Sequence, residues 1–245
     1  MSGHSKWSTI KRKKGEKDGA RAKVFTKISR EIVVAIKEGG GDPANNSKLA
    51  QLVQKAKSNN IPNDNIDRLI KKTIGDGEKT NYENCVYEGY GPNGVAVIVD
   101  CLTDNRNRTA GEVRHYFDKF GGNLGTSGCV SFMFSQKGIV VLDNEEGEID
   151  EDKAMEDILE AGGDDFVFED GCVEITTEPN SAAEVGDALR AMGYTVLSAE
   201  PAMVPSTYTT LTDEDHIKKM TLLLENLEDN DDVQNVWHNW EEADA

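Results

Sequence analysis

Three stretches near the start of the chain carry apolar residues at helical spacing. Phe25, Ile28, Ile32 and Ile36 fall on one face, widened by Val33, and the run ends at Gly39-Gly40-Gly41, with Pro43 blocking an early restart. Leu49, Leu52, Val53 and Ala56 form a second amphipathic run. Ile66, Leu69 and Ile70 form a third, which begins near Pro62 and stops at Gly75. Each run is too short and one-sided to hold a helix alone, so the three are expected to pack as a small bundle.

After Gly77 the period shifts towards two. Val86 to Tyr90 and Val95 to Leu102 read as strands joined by the turn residues Gly91-Pro92-Asn93-Gly94. A helix follows from about Asn107 to Phe120, Gly121-Gly122 stops it, and Val130 to Phe134 reads as another strand. From Gln136 the pattern is strand (Ile139 to Leu142), helix (Glu151 to Ala161), strand (Phe166 to Glu169), strand (Cys172 to Thr176), helix (Ala182 to Met192), strand (Thr195 to Ala199). That order, β-α-β-β-α-β, is the ferredoxin-like one. A short extended piece near Thr207, a helix carrying Ile217, Met220, Leu223, Leu224 and Leu227, and a strand from Val233 to Trp240 close the chain.

Joined to residues 95–134, this tail yields a second β-α-β-β-α-β order. The expected fold is therefore α+β: an N-terminal helical bundle plus two ferredoxin-like α/β domains, one inserted into the other. The domains would be 1–80, then 81–134 with 205–245, then the inserted, acidic 135–204. A length of 245 residues accommodates such units. The nested arrangement requires strands 129–134 and 205–209 to pair antiparallel in one sheet.

Charge changes the picture. The chain carries 27 Lys/Arg against 45 Asp/Glu, a net charge of −18 that by itself argues against a nucleic-acid partner. The distribution reverses that argument. Residues 1–80 hold 18 basic against 9 acidic side chains, and residues 81–245 hold 9 against 36. The first thirty residues have ten basic side chains and only Glu16 and Asp18 against them. A basic arm on an acidic body is the expected pattern of a nucleic-acid-binding chain.

The basic run comprises Lys6, Lys11, Arg12, Lys13, Lys14, Lys17, Arg21, Lys23, Lys27 and Arg30. Neutralising phosphates releases counterions, so such a cluster supplies sequence-independent affinity. Arg21, Lys23, Lys27 and Arg30 share a helix with the apolar stripe and are expected to project from its solvent side. Trp7 has two readings of equal weight, stacking on a base or packing under the bundle. Arg106 and Arg108 lie at a helix start, where the dipole does not favour them. They are candidates for a phosphate contact with the backbone amides there, or for internal ion pairs with the many carboxylates.

Other chemistry is not indicated. Cys85, Cys101, Cys129 and Cys172 lie far apart without zinc spacing and read as reduced, mostly buried thiols. The acidic stretch Asn144 to Asp152 lacks EF-hand spacing, and the glycines of 121–128 follow a helix rather than opening one, unlike a nucleotide loop. His4, His115, His216 and His238 are scattered, with no nucleophile motif. The expectation is a cytoplasmic protein that is not an enzyme, with no cofactor, no metal, no small-molecule substrate and no membrane partner. The start lacks a secretory h-region, and no stretch approaches a membrane span.

Several motifs together resemble the YebC/PmpR family. They are Gly3-His4-Ser5-Lys6-Trp7-Ser8-Thr9-Ile10-Lys11, Gly89-Tyr90-Gly91-Pro92, Thr103-Asp104-Asn105-Arg106-Asn107-Arg108-Thr109, Gly121-Gly122-Asn123-Leu124-Gly125 and Val233-Gln234-Asn235-Val236-Trp237-His238-Asn239. Trp237 stands where the family pattern has tyrosine. The resemblance runs from residue 1 to about 240. It implies three domains, one helical and two α/β with a cleft between them, in a cytoplasmic DNA-binding transcriptional regulator. It also implies a second role. Members including the mitochondrial translational activator of cytochrome c oxidase act on ribosomes and relieve stalling at proline-rich stretches. The partners expected are thus nucleic acid, either DNA or rRNA, and in the second role the ribosome. A third reading is a protein-interaction module whose acidic face binds a basic partner.

Overall fold

The structure is a computed structural model, and it describes residues 19–75, 80–169 and 171–241. They divide into two compact units, one built from residues 19–129 and 213–236, the other from 130–212 and 237–241.

The first unit opens with three helices, α1 (Gly19–Gly39), α2 (Ser47–Ser58) and α3 (Asn63–Gly75). Their cores are the predicted stripes: Ile28, Ile32 and Ile36 from α1, Leu49, Leu52 and Ala56 from α2, and Ile66 from α3, with Ile61 from the connecting turn. The chain leaves α1 through Gly40 in the left-handed region (φ 84°), as a glycine stop requires. Asn46 then starts α2. Its side-chain oxygen accepts from the Leu49 amide at 3.1 Å, while its Nδ2 donates to the carbonyls of Ala35 and Gly40, each at 2.8 Å. One buried side chain thereby caps α2 and ties it to the end of α1.

The α/β part of this unit has strands β1 (Glu83–Tyr90), β2 (Ala96–Thr103) and β3 (Asn123–Leu124), helix α4 (Arg106–Lys119), and, from the end of the chain, helix α7 (Glu214–Asp229) and strand β9 (Val233–His238). The sheet order is β3-β1-β2-β9. Two motifs meet in it backbone to backbone. Gly89 pairs with Leu124 and Tyr90 with Asn123, and a Cβ on Gly89 would lie 2.6 Å from the Asn123 carbonyl oxygen. A Cβ on Gly122 would lie 2.4 Å from that of Tyr90. The glycines here serve close strand approach rather than a nucleotide.

The second unit holds β4 (Phe134–Asp143), α5 (Glu151–Ala161), β5 (Asp165–Glu169), β6 (Cys172–Thr177), α6 (Ala182–Ala191) and β7 (Val196–Pro205). Its sheet order, β5-β6-β4-β7 with every neighbour antiparallel, is that of a ferredoxin-like unit. Ala154 and Ile158 of α5 and Ala182, Val185 and Leu189 of α6 pack on Val140, Leu142, Val173 and Ile175. A separate two-stranded pair joins β8 (Thr209–Thr210) and β10 (Trp240–Glu241) in parallel.

The architecture is the expected mixture of a helical N-terminal region followed by α/β domains. The strand assignment that linked them differs. Residues Ser131–Met133 form a 3-10 turn, not a strand, and Phe134 pairs with Pro205 at the end of the second unit's own sheet. The positions expected for strands 130–134 and 205–209 in the first sheet are taken by β3 and β1. The physical reason is local: the β1–β2 hairpin, turned at Gly91–Gly94 and paired from Glu83–Thr103 to Tyr90–Ala96, fills the edge of β2 that those strands would have used.

Candidate nucleic-acid interface

Lys6, Trp7, Lys11, Arg12, Lys13, Lys14 and Lys17 lie outside the described residues. Arg21 lies within α1, and its side chain is likewise outside them.

Lys23, Lys27 and Arg30, the other assigned basic residues of α1, are engaged by residues 228–232, although the Lys23 side chain stays 44% exposed. Lys23 pairs with Asp229 at 2.7 Å, and Lys27 donates to the carbonyl of Glu228 at 2.6 Å. One turn later Arg30 donates to the carbonyl of Leu102 at 3.1 Å and to the carboxylate of Asp232, with its guanidinium 5.5 Å from the centre of the Tyr82 ring. Spacing of three to four residues puts these side chains on one face, and that face meets the α7–β9 connection.

Asp232 is the centre of this contact and is only 3% exposed. Beyond Arg30 it accepts from Arg108 at 2.8 Å, Thr109 at 2.6 Å and Thr103 at 3.1 Å. Burial alone would push its carboxyl up, but hydrogen bonds from Thr109, Arg108 and Arg30 outweigh burial and hold it at about 2. The segment Thr103 to Thr109 is therefore mostly a buttress. Thr103 and Thr109 hold the carboxylate, Asn105 caps α4 by accepting from the Arg108 amide at 3.1 Å, and Arg108 bridges Asp232 and Asp104. Of the two readings open for Arg108, the internal ion pair is the one observed.

Arg106 behaves differently. Exposed as Arg108 also is, it has no ion pair among the described residues, although its carbonyl accepts from the Tyr87 hydroxyl at 3.2 Å. Lys57, Arg68 and Lys71 on α2 and α3 are also exposed and make no ion pair among the described residues. Sequence reasoning counted these three in the basic total without assigning them. The signal was present: positions 68 and 71 are one turn apart on the side of α3 opposite Ile66.

Among the described residues no group of three or more His, Cys, Asp or Glu is placed to hold a metal ion. No helix of the described residues is long and apolar enough to cross a membrane. None of the four cysteines is in a disulfide, and Cys85, Cys101 and Cys172 are buried. Burial pushes the Cys101 thiol well above its usual range, so it is a poor nucleophile.

Comparison with known proteins decides the family. The family model described as the TACO1/YebC N-terminal domain matches residues 5–76, and that of the TACO1/YebC second and third domain matches residues 82–240. The chain belongs to the TACO1/YebC family. Family relatives include a "Probable transcriptional regulatory protein" of Finegoldia magna, 55% identical over 98% of this chain and 99% of that one. One of the same name from Agathobacter rectalis is 56% identical over 99% of this chain and 100% of its own. A crystal structure of a conserved hypothetical protein from Aquifex aeolicus superposes with a TM-score of 0.83 at 41% identity, covering 93% of each chain.

Proposed function

We propose that this member of the family is a cytoplasmic, non-enzymatic regulator of gene expression that binds nucleic acid, as a DNA-binding transcriptional regulator. The observation that carries the reading is the segregation of charge: 18 basic against 9 acidic side chains in residues 1–80, and 9 against 36 beyond. The names of the relatives agree with a regulator. The contact set assigned to phosphate is Lys6, Lys11, Arg12, Lys13, Lys14, Lys17 and Arg21, with Trp7 beside them. Lys57, Arg68, Lys71 and Arg106 extend it. Lys23, Lys27, Arg30 and Arg108 act instead by fixing α1 and α4 through residues 228–232.

The test is binding to a labelled genomic duplex across a salt series. Replacing Lys11, Arg12, Lys13 and Lys14 by Ala is expected to weaken binding. On duplex DNA the salt slope should fall by about 0.9 for each phosphate that is no longer neutralised. An unchanged slope removes the arm from the mechanism.

A second reading is favoured by a specific observation, the strongly acidic body, which bare phosphate repels and basic protein attracts. It is a translation factor placing the basic arm on rRNA within a ribosome. Sedimentation of lysate at physiological salt separates the two: wild-type protein in the ribosomal fractions, with the four-alanine variant at the top, supports translation. Both proteins at the top support the promoter reading.

A further inference from the structure

Among the described residues, five large apolar side chains are exposed, at Ile74, Val86, Phe132, Met155 and Leu159. Only Met155 and Leu159 share one face of one helix, α5. They stand one turn apart and are 45% and 59% exposed. The helix does not need them for its own packing. Ala154 and Ile158, both fully buried, already supply its contact with the sheet and with α6. A solvent-side apolar pair on an otherwise charged helix is surplus to the fold.

The surroundings specify what would cover it. At 100° per residue Glu151 flanks the pair on one side, and Asp152, Glu156 and then Glu160 on the other. All four are exposed. Residues 130–212 as a whole hold 19 acidic against 3 basic side chains. This is an apolar centre with an anionic rim, the layout of a protein contact in which the anchors are desolvated and the rim sets partner choice. Nucleic acid and anionic membrane are excluded by sign.

We propose that the Met155–Leu159 face of α5 is a docking surface for a Lys/Arg-rich amphipathic segment of a partner protein. Two apolar anchors of that segment cover Met155 and Leu159, and its basic side chains reach the surrounding carboxylates over their own methylene stems. Methionine suits such a contact because its unbranched thioether adapts to the shape of the anchor. The proposal is independent of which nucleic acid the arm binds. It gives the acidic unit a role that the arm does not.

The test uses the full chain and a fluorescent 18-residue peptide of lysine and leucine patterned as an amphipathic helix. A second peptide of the same composition has its leucines dispersed. Wild-type protein is expected to bind the patterned peptide on the order of tenfold more tightly than the dispersed one. Met155→Ser with Leu159→Ser is expected to abolish that preference, since covering two such side chains accounts for about that factor or more. Both positions are exposed, so an unchanged circular dichroism spectrum is expected of the variant. Glu156→Gln with Glu160→Gln, which keeps the apolar pair, should weaken both peptides alike. Equal binding of the two peptides, or a preference that survives the double serine variant, overturns the proposal. Preference that emerges only after residues 1–18 are deleted also overturns it, by making the chain's own arm the occupant.

Discussion

Two sites, one in each unit of this protein, handle charge in opposite ways. In the first, cations and anions from distant parts of the chain are drawn into one buried contact, where Asp232 receives Arg30, Arg108, Thr103 and Thr109. In the second, carboxylates such as Glu151, Asp152, Glu156 and Glu160 stay exposed on a helix whose apolar inner face supplies the packing. Identical side-chain chemistry thus builds structure around Asp232 and an external field along α5. The deciding variable is desolvation, because a buried carboxylate must be met by donors whereas an exposed one needs none.

The largest expected effect follows from that contrast. Asp232→Asn leaves Arg30 and Arg108 around a neutral group and turns one of its two acceptor oxygens into an N–H donor facing other donors. Breaking a buried ion pair from one side costs about 3–5 kcal/mol, so the first unit should unfold at markedly lower urea. Glu156→Gln in the second unit should change stability by no more than about 0.5 kcal/mol. Acid titration reads the same difference. The Asp232 carboxyl is depressed from 3.8 to about 2 in the folded chain. Its contribution is therefore fully present above its unfolded value and is lost as the pH falls from there towards about 2. Asp232→Asn should flatten stability across that window. If the two substitutions cost the same, the contrast between the two sites is wrong.

Asn46→Ala comes next. The wild-type amide caps α2 and satisfies two carbonyls at the end of α1, and the residue is only 7% exposed. Loss of a cap together with a buried acceptor should cost about 2 kcal/mol. Its neighbour Asn45 is exposed and bonds only Asp42, at 2.7 Å. Asn45→Ala should stay within about 0.5 kcal/mol, and equal costs would mean that the α1–α2 corner is held by something other than Asn46.

How much of this was legible in the sequence depends on whether a feature has a period. The three helices of the bundle and the six elements of the second unit repeat at 3.6 or 2 residues, and they lie where the pattern puts them. Residues 130–134 misled for the same reason. Val130, Phe132 and Phe134 alternate like a strand, yet Phe132 is 75% exposed in a 3-10 turn, so there alternation did not report burial. The strand β3 is two residues long and is defined by how closely glycine backbones approach, which leaves no side-chain period to read. The Asp232 contact was hidden because one aspartate in Asp229-Asn230-Asp231-Asp232 looks like its solvated neighbours. The legible hint was the pair of threonines, 103 and 109, on either side of Asn105. Arg106 and Arg108 illustrate the limit. Two arginines two residues apart look alike in sequence and are both exposed, and only the fold separates the one without an ion pair from the one that holds Asp232 and Asp104.

That separation gives the smallest and most specific prediction. Arg106→Ala removes an exposed guanidinium with no ion pair among the described residues, so the urea midpoint should not move measurably. If the side chain contacts phosphate, the salt slope of duplex binding falls by about 0.9 and affinity weakens modestly, with no dependence on sequence. Arg108→Ala should do the reverse, lowering stability by leaving Asp232 short of a donor, while the slope measured on folded protein stays the same. An Arg106→Ala variant whose slope equals that of the wild type confines the interface to the other basic residues. An Arg108→Ala variant that keeps its stability and loses slope would restore the phosphate reading for that residue, and would mean that Arg30 and the two threonines suffice to hold Asp232.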